Sequence, residues 1–180
     1  MKKLVYLVLF FGGITLSSNA QEINWISIEE AIELQKTTPK KIMMDIYTTW
    51  CGPCKQLDKN TFQNKNVVRY VNENYYAVKF NGEGNTEVNY MGKVFKNPYY
   101  KQEDAFRRNT AHEFARYLQV NAYPTIVFFD EYANVITPLR GYQQPSQLEL
   151  YLKMFKNNDH QKITSQEQFN TYFEAFKSEF

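Results

Sequence analysis

The stretch Trp50-Cys51-Gly52-Pro53-Cys54 contains the only two cysteines in 180 residues and separates them by two residues. Such a pair can be a redox dithiol, half of a zinc site or, when His follows it, a haem attachment point. Lys55 follows Cys54, which excludes haem attachment. A zinc site needs four ligands, and beyond the thiols the chain offers only two histidines, His112 and His160. These two do not form the H-x-x-x-H pair that is typical of zinc sites. We therefore expect a redox dithiol, with no metal and no cofactor.

The residues between the cysteines favour redox chemistry. Gly52 lets the backbone turn tightly, and Pro53 suits the first turn of a helix, where its missing N–H would have no partner anyway. Cys51 would then lie at a helix N-terminus, where unpaired N–H groups and the helix dipole lower a thiol pKa. We predict that Cys51 is the nucleophile and that Cys54, one turn further and more buried, resolves the mixed disulfide. The alternative is a structural disulfide, but so short a loop gives little entropic stabilisation.

Two further segments extend this pattern on either side of the motif. Upstream, residues 42–47 form an apolar run that contains Asp45, six residues before Cys51. Downstream, Ala122-Tyr123-Pro124-Thr125 precedes the apolar run 126–130. Motif and flanking segments, in this order, resemble the thioredoxin superfamily over roughly residues 40 to 157. The resemblance implies an α/β, thioredoxin-like fold with a central mixed β-sheet flanked by helices.

Asp45 is the odd residue in its apolar strand. A lone acid there either faces solvent at an edge or has a raised pKa that the site uses. In the family that the chain resembles, the matching acid helps to deprotonate the buried cysteine, so we expect a catalytic role for Asp45. Lys79, in the next strand, either tunes this acid or is solvated.

The resemblance also implies where a substrate binds. It implies that the Tyr123–Pro124 bond is cis, lies against Cys51, keeps metals away from the thiols and presents the Tyr123 backbone to an extended segment. The expected substrate contacts are Trp50, Gly52, Pro53, Tyr123 and Pro124.

Residues 1–20 have the pattern of a secretory signal peptide. Lys2-Lys3 precedes a mostly apolar run of 13 residues, and Ser18-Asn19-Ala20 places small residues at a cleavage site. The run is shorter than the roughly 20 residues that a membrane anchor needs. We predict cleavage after Ala20 and a periplasmic or secreted protein.

Composition indicates a globular domain, since 43% of residues are hydrophobic and 17% aromatic. Without Lys2 and Lys3, the 21 basic residues become 19 and balance the 19 acidic ones. A net charge near zero gives no sign of binding to nucleic acid or to an anionic membrane.

Four helix starts have the S/T-x-x-E/Q spacing of a capping box. These pairs are Ser27 with Glu30, Thr110 with Glu113, Ser146 with Glu149, and Ser165 with Gln168. The second start would leave His112 on the surface. An edge strand is expected over residues 135–137, limited by Pro138.

The thioredoxin-like domain is expected over residues 21–157, with two additions. Residues 82–109 interrupt the family pattern as an insertion that is either a functional lid or binding surface, or a tolerated surface loop. Residues 158–180 form a C-terminal helical extension that packs on its own domain or binds a partner.

The sequence as a whole predicts an exported thiol:disulfide oxidoreductase. The Gly-Pro dipeptide is that of reducing thioredoxins, which favours reduction of protein disulfides. Residues 54–68 are similar to the C-terminal domain of thiol:disulfide interchange proteins, so the expected partners are protein thiols or disulfides and a membrane electron donor. The alternatives are a disulfide oxidase or isomerase, and a non-catalytic binding or chaperone module.

Overall fold

A computed structural model describes residues 22–180. The expected leader, residues 1–20, lies outside these residues. The strands are β1 (Trp25–Ile26), β2 (Lys41–Tyr47), β3 (Tyr75–Asn81), β4 (Val88–Tyr90), β5 (Lys93–Phe95), β6 (Thr125–Phe129) and β7 (Val135–Arg140). The helices are α1 (Ile28–Gln35), α2 (Gly52–Asn60), α3 (Lys65–Asn74), α4 (Glu113–Tyr117), α5 (Pro145–Lys156) and α6 (Gln166–Ala175).

The central sheet has the strand order β1-β3-β2-β6-β7 and is mixed. Strand β3 runs parallel to β1 and β2, whereas β6 runs antiparallel to β2 and β7. Every residue of β6 is buried, as is β2 up to Ile46, because helices cover both faces of these strands. This arrangement confirms the predicted α/β fold class.

The alternation of β2 divides the core into two clusters. Ile42, Met44 and Ile46 face α1, α4 and the β4–β5 hairpin, while Met43 faces α2, α3 and α5. Because side chains alternate along a strand, Asp45 lies on the Met43 face, beneath the helix that begins with the cysteine motif.

Two of the four predicted helix starts differ from the structure. Helices α1 and α6 are capped by Ser27 and Ser165, as expected. Helix α4 begins after His112 rather than Thr110. Helix α5 begins after Gln144, since Pro145 is already preorganised for its first turn and the Gln144 backbone N–H donates to Gln147.

Strand β7 continues past the expected limit. Pro138 lies inside it, paired with Val127, and the strand runs to Arg140. Since β7 is an edge strand, the N–H that proline lacks is not needed by a further neighbour.

Residues 82–109 are not a plain loop. Strands β4 and β5 form an antiparallel hairpin that turns at Met91 and Gly92, both with positive φ, and buries Val88 and Tyr90 in the core. A 3-10 turn follows at Gln102–Asp104.

The C-terminal residues are tied to the domain by a buried acid. Glu149, on α5, accepts hydrogen bonds from Ser178 Oγ (2.5 Å) and from the backbone N–H groups of Glu179 (2.8 Å) and Phe180 (3.0 Å). Phe169, Tyr172 and Phe180 pack against the core, whereas Phe173 is 57% exposed. No helix within residues 22–180 is long and apolar enough to cross a bilayer.

Candidate active site

Cys51 and Cys54 are joined by a disulfide bond at the start of α2. Cys51 is the N-cap residue, and its Sγ accepts a hydrogen bond from the Cys54 backbone N–H at 3.1 Å. Pro53 lies in the first turn, as its fixed φ and missing N–H allow. The N-terminal amides of α2 therefore point at the Cys51 sulfur, where they would stabilise a thiolate.

The expected difference in burial between the cysteines is absent. In the disulfide form, the exposed fraction is 2% for Cys51 and 3% for Cys54. Of the two, however, only Cys51 lines a cleft of about 440 Å³. The side chains of Trp50 and Tyr123 line this cleft together with Cys51. The orientation of the pair, rather than its burial, distinguishes the two sulfurs.

The loop before β6 forms the opposite wall. The Tyr123–Pro124 peptide bond is cis, as the resemblance implied. The Tyr123 ring meets the Trp50 ring edge to face, with centroids 6.2 Å apart. The Tyr123 ring also packs against Gly82, where an added Cβ would lie 2.6 Å from the ring. Gly82 is thus needed for this close approach, although the sequence pattern did not single it out.

Asp45 is buried, with 1% of its surface exposed. Burial raises its pKa to about 7, although Lys79, with Nζ 3.5 Å from Oδ2, acts in the opposite direction. The Asp58 carboxylate raises the Asp45 pKa further and is itself hydrogen-bonded to Lys79. Asp45 Oδ1 has no hydrogen-bond partner among residues 22–180. Asp45 therefore does not face solvent at an edge of the sheet. It is a buried acid with a raised pKa.

Lys79 and Asp58 connect this acid to the cysteine helix. Lys79 pairs with both carboxylates, and its Nζ lies 5.0 Å from the centroid of the Trp25 ring. Asp58 follows Cys54 by four residues, so both lie on the same face of α2. The sequence interpretation included Lys79 as a possible partner of Asp45 but missed Asp58.

Residues 83–109 supply a third wall, which the sequence did not predict residue by residue. Trp50 Nε1 donates to Glu83 Oε2 at 2.7 Å, and the Asn109 backbone N–H donates to the same oxygen at 2.8 Å. Arg108 lies over the Trp50 ring, 4.9 Å from its centroid, and lines the cleft. In the sequence, only the length of the insertion indicated that it could contribute to the site.

His112 corrects the expectation of a surface residue. It is fully buried, and its Nδ1 accepts a hydrogen bond from the Phe114 N–H at 3.0 Å. Its Nε2 then donates to the Thr86 carbonyl at 3.0 Å. Burial lowers its pKa, partly offset by the Thr86 contact. The side chain turns inward because it caps α4.

The cleft brings together part of the predicted substrate-contact set. Trp50, Pro53 and Tyr123 line it with Cys51, whereas Gly52 and Pro124 do not. A second groove of about 470 Å³ lies between β7 and the C-terminal extension and contains no cysteine. Within residues 22–180, no three His, Cys, Asp or Glu side chains cluster closely enough to hold a metal ion.

Comparisons with known proteins agree with this geometry. A family model described as a thioredoxin-like domain matches residues 28–156. The chain is 26% identical over 150 residues to the thiol:disulfide interchange protein DsbD of Yersinia pestis, covering 79% of this chain and 21% of that protein. The chain thus spans about a fifth of the length of this relative.

Two solved structures resemble the fold. A thioredoxin-fold protein from Helicobacter pylori gives a TM-score of 0.58 at 20% identity and covers 76% of this chain and 81% of that one. A protein proposed to be a disulphide-isomerase from Bacteroides thetaiotaomicron gives a TM-score of 0.51 at 27% identity, with coverages of 77% and 94%. Together with the family model, these matches confirm the resemblance stated from the sequence.

Proposed function

Since the chain belongs to the thioredoxin-like domain family and is a thiol:disulfide oxidoreductase, we propose that it is exported and reduces protein disulfides. The observation that supports Cys51 as the attacking cysteine is its position. Its sulfur accepts a hydrogen bond from the Cys54 N–H at the start of α2, and Cys51 lines the cleft that a substrate can enter.

The first step joins enzyme and substrate. The Cys51 thiolate of the reduced protein attacks one sulfur of the substrate disulfide, so that a mixed disulfide forms and the other substrate sulfur leaves as a thiolate. The amides at the start of α2 favour the thiolate form of Cys51, which is the reactive form. The departing thiolate takes a proton from solvent.

The second step releases the product. The Cys54 thiolate attacks the Cys51 sulfur, which closes the Cys51–Cys54 disulfide and expels the second substrate thiolate. In total, the enzyme loses two electrons and the substrate disulfide becomes two thiols. We assign to Asp45 the acceptance of the Cys54 proton, supported by its burial and by its pKa of about 7, which matches neutral conditions.

The substrate segment would bind along the cleft. Trp50, Gly52 and Pro53 would contact it from the start of α2. Tyr123 and Pro124 would contact it from the opposite loop, with the Tyr123 backbone pairing with extended chain. The cis bond and the shared cleft support this arrangement.

A reductase needs a supply of electrons outside the cytosol. The leader pattern of residues 1–20 supports export to the periplasm or beyond, followed by cleavage after Ala20. The likeness to part of a thiol:disulfide interchange protein supports a membrane dithiol as the electron donor. That donor would return two electrons to the Cys51–Cys54 disulfide after each cycle.

Disulfide isomerisation is the second candidate. It is favoured by the likeness to the Bacteroides thetaiotaomicron protein proposed to be a disulphide-isomerase. Reductase, isomerase and oxidase differ in reduction potential, since about 30 mV corresponds to 1.4 kcal/mol for a two-electron couple.

The reduction potential of the Cys51–Cys54 couple tests the proposal. Equilibration with glutathione or dithiothreitol buffers should give a value near that of thioredoxin, about −270 mV. A value near −120 mV would instead identify an oxidant. A Cys51→Ser, Cys54→Ser double variant that retains full biological function would favour a binding module over an enzyme.

A further inference from the structure

The insertion passes directly beside the dithiol. Thr49 Oγ1 donates to the Ala105 carbonyl at 2.6 Å, and Glu83 accepts the Asn109 N–H at 2.8 Å. Thr49 and Trp50, which bonds Glu83, immediately precede Cys51. The chain is therefore fixed at residues 105 and 109, and the three residues between them are Phe106-Arg107-Arg108, of which Arg108 lines the cleft.

These three residues are all exposed. Phe106 is 83% exposed and offers its ring to a partner. The guanidinium carbon of Arg108 lies over the Trp50 ring, 4.9 Å from its centroid, and the guanidinium has no carboxylate within 4.0 Å among residues 22–180. Stacking orients a guanidinium and leaves its N–H edge available for a carboxylate.

Among residues 22–180, the side chains that line the cleft include one cation, Arg108, and one carboxylate, Glu83, while Arg107 and Arg140 lie outside the lining. Arg108 lines the cleft, Arg107 precedes it, and Arg140 Nε donates to Asn121, another lining residue, at 3.1 Å. Glu83 is the only carboxylate among the lining residues, and its Oε2 already accepts two hydrogen bonds. The other acids of the insertion, Glu87, Glu103 and Asp104, do not line the cleft.

From this arrangement we propose that the cleft selects substrates with an acidic residue next to the reacting cysteine. Arg108 binds the carboxylate, and Phe106 adds an apolar contact at the rim. Arginine and aromatic side chains at the centre of a contact contribute most to protein recognition. The occupant is an extended segment of a protein disulfide, so this inference rests on the proposed function and specifies its substrate class.

Three disulfide-linked peptide dimers test the inference. They differ only in the residues on both sides of cysteine, which are Glu, Gln or Lys. The rate constant for their reduction by the reduced protein is measured in stopped flow through the change in tryptophan fluorescence. We expect the Glu peptide to react about three- to tenfold faster than the Gln peptide and the Lys peptide to react slowest. The preference should shrink at about 0.5 M salt, because exposed charges are then screened.

Variants assign the preference to Arg108. In Arg108→Ala the ratio of Glu to Gln rate constants should fall to about one, and Arg108→Glu should favour the Lys peptide. Lys93→Ala removes the same charge from β5, an exposed position of the same insertion outside the cleft, and should keep the wild-type ratio.

The two proposals fail in different ways. Equal rates for the Glu and Gln peptides overturn the acidic selectivity, and a preference that persists in Arg108→Ala overturns the role of Arg108 in it. Neither result touches the proposed function, provided that the wild-type protein reduces the neutral probe bis(2-hydroxyethyl) disulfide. Failure of the reduced wild-type protein to reduce any of these disulfides overturns the proposed function and this inference together.

Discussion

Trp50 Nε1 lies 2.7 Å from Glu83 Oε2, so the residue before the nucleophile is bonded to the first part of the insertion. The same oxygen accepts the backbone N–H of Asn109 at the other end of the insertion. One carboxylate therefore joins the two ends of a segment of more than 20 residues and attaches both to the site. A hydrogen bond to a charged acceptor is stronger than one between neutral groups, so Glu83 is expected to organise this wall.

Replacing Glu83 by Ala should loosen the insertion. Without the shared acceptor, the Trp50 and Asn109 donors lose their partner, and we expect the free energy of unfolding to fall by about 1 kcal/mol. Amide hydrogen exchange in residues 105–109 should become about tenfold faster. Glu87→Ala is the matched control, because Glu87 pairs with Lys96 where both side chains are more than half exposed. Unchanged exchange in the Glu83 variant would contradict this role.

Replacing Asp45 by Asn should slow release of the mixed disulfide. Asp45 is expected to accept the Cys54 proton, and loss of such a group typically costs a factor of about one hundred or more. Asp58→Asn should shift the pH profile of the same step to lower pH, since it removes a charge that raises the Asp45 pKa. The measurement is the rate of resolution of a preformed mixed disulfide between about pH 6 and pH 9. A rate equal to wild type across this range would remove Asp45 from the mechanism.

Asp45 should also make stability depend on pH. Its pKa is raised from 3.8 to about 7 by burial, so the folded protein holds a proton that the unfolded chain has lost. The stabilisation is complete below pH 3.8 and is lost as pH rises through about 7. Asp45→Asn should therefore be more stable than wild type at pH 8 by a few kcal/mol, with little gain near pH 4. Urea unfolding of both proteins at the two pH values measures the difference. An equal gain at both would argue against a titrating Asp45.

Replacing Glu149 by Ala should release the C-terminal residues. Burial acts to raise the Glu149 pKa, but hydrogen bonds from Lys153, Ser178 and the backbone outweigh it and hold the pKa below its ordinary value. The ionised acid therefore stabilises the fold above pH 4.5, and this stabilisation is lost as pH falls through the folded pKa.

We expect Glu149→Ala to lower the free energy of unfolding at neutral pH by about 2 kcal/mol, measured in urea. Glu179→Ala is the control, since this acid is 75% exposed and shares Lys153 with Glu149. It should change stability by less than about 0.5 kcal/mol. Similar losses in both variants would mean that the buried acid is not the anchor.

His112 should destabilise the protein in mild acid. Burial lowers its pKa, so the folded state favours the neutral ring while the unfolded chain gains a proton below about 6.5. The stabilisation is present above this value and is lost as pH falls towards the folded pKa. His112→Asn keeps a residue that can cap α4 but cannot titrate. The difference in melting temperature between wild type and variant should change between pH 5.5 and pH 7.5. A constant difference would show that the His112 pKa is the same in the folded and the unfolded state.

Strands β2 and β6 and the cysteine motif could be predicted because each depends on local pattern, whereas β4 and β5 were not predicted. The apolar run around Asp45 could only be a buried strand, and Gly52-Pro53 fits a helix start beside Cys51. The mixed sheet came from the resemblance, since strand order depends on contacts distant in sequence.

What the sequence did not predict depends on tertiary contact. His112 has no local sign of burial, because its partner Thr86 is 26 residues away. The wall formed by Glu83 and Arg108 arises from two ends of a segment that interrupts the family pattern. Asp58 is one of several charged residues in α2, and its partner Lys79 is 21 residues away, so only the fold brings the two together.

The two ends of the insertion are fixed close together, which separates partner choice from the redox chemistry of the site. Its ends are fixed by Glu83 and by the His112 N–H, which donates to the Gly82 carbonyl at 2.8 Å. Val88, Tyr90 and Phe95 of the hairpin belong to the core, so their loss would cost stability, whereas the exposed residues 106–108 carry no core contact. Exchanging residues 106–108 alone would therefore redirect partner choice while the redox chemistry of Cys51 and Cys54 is conserved.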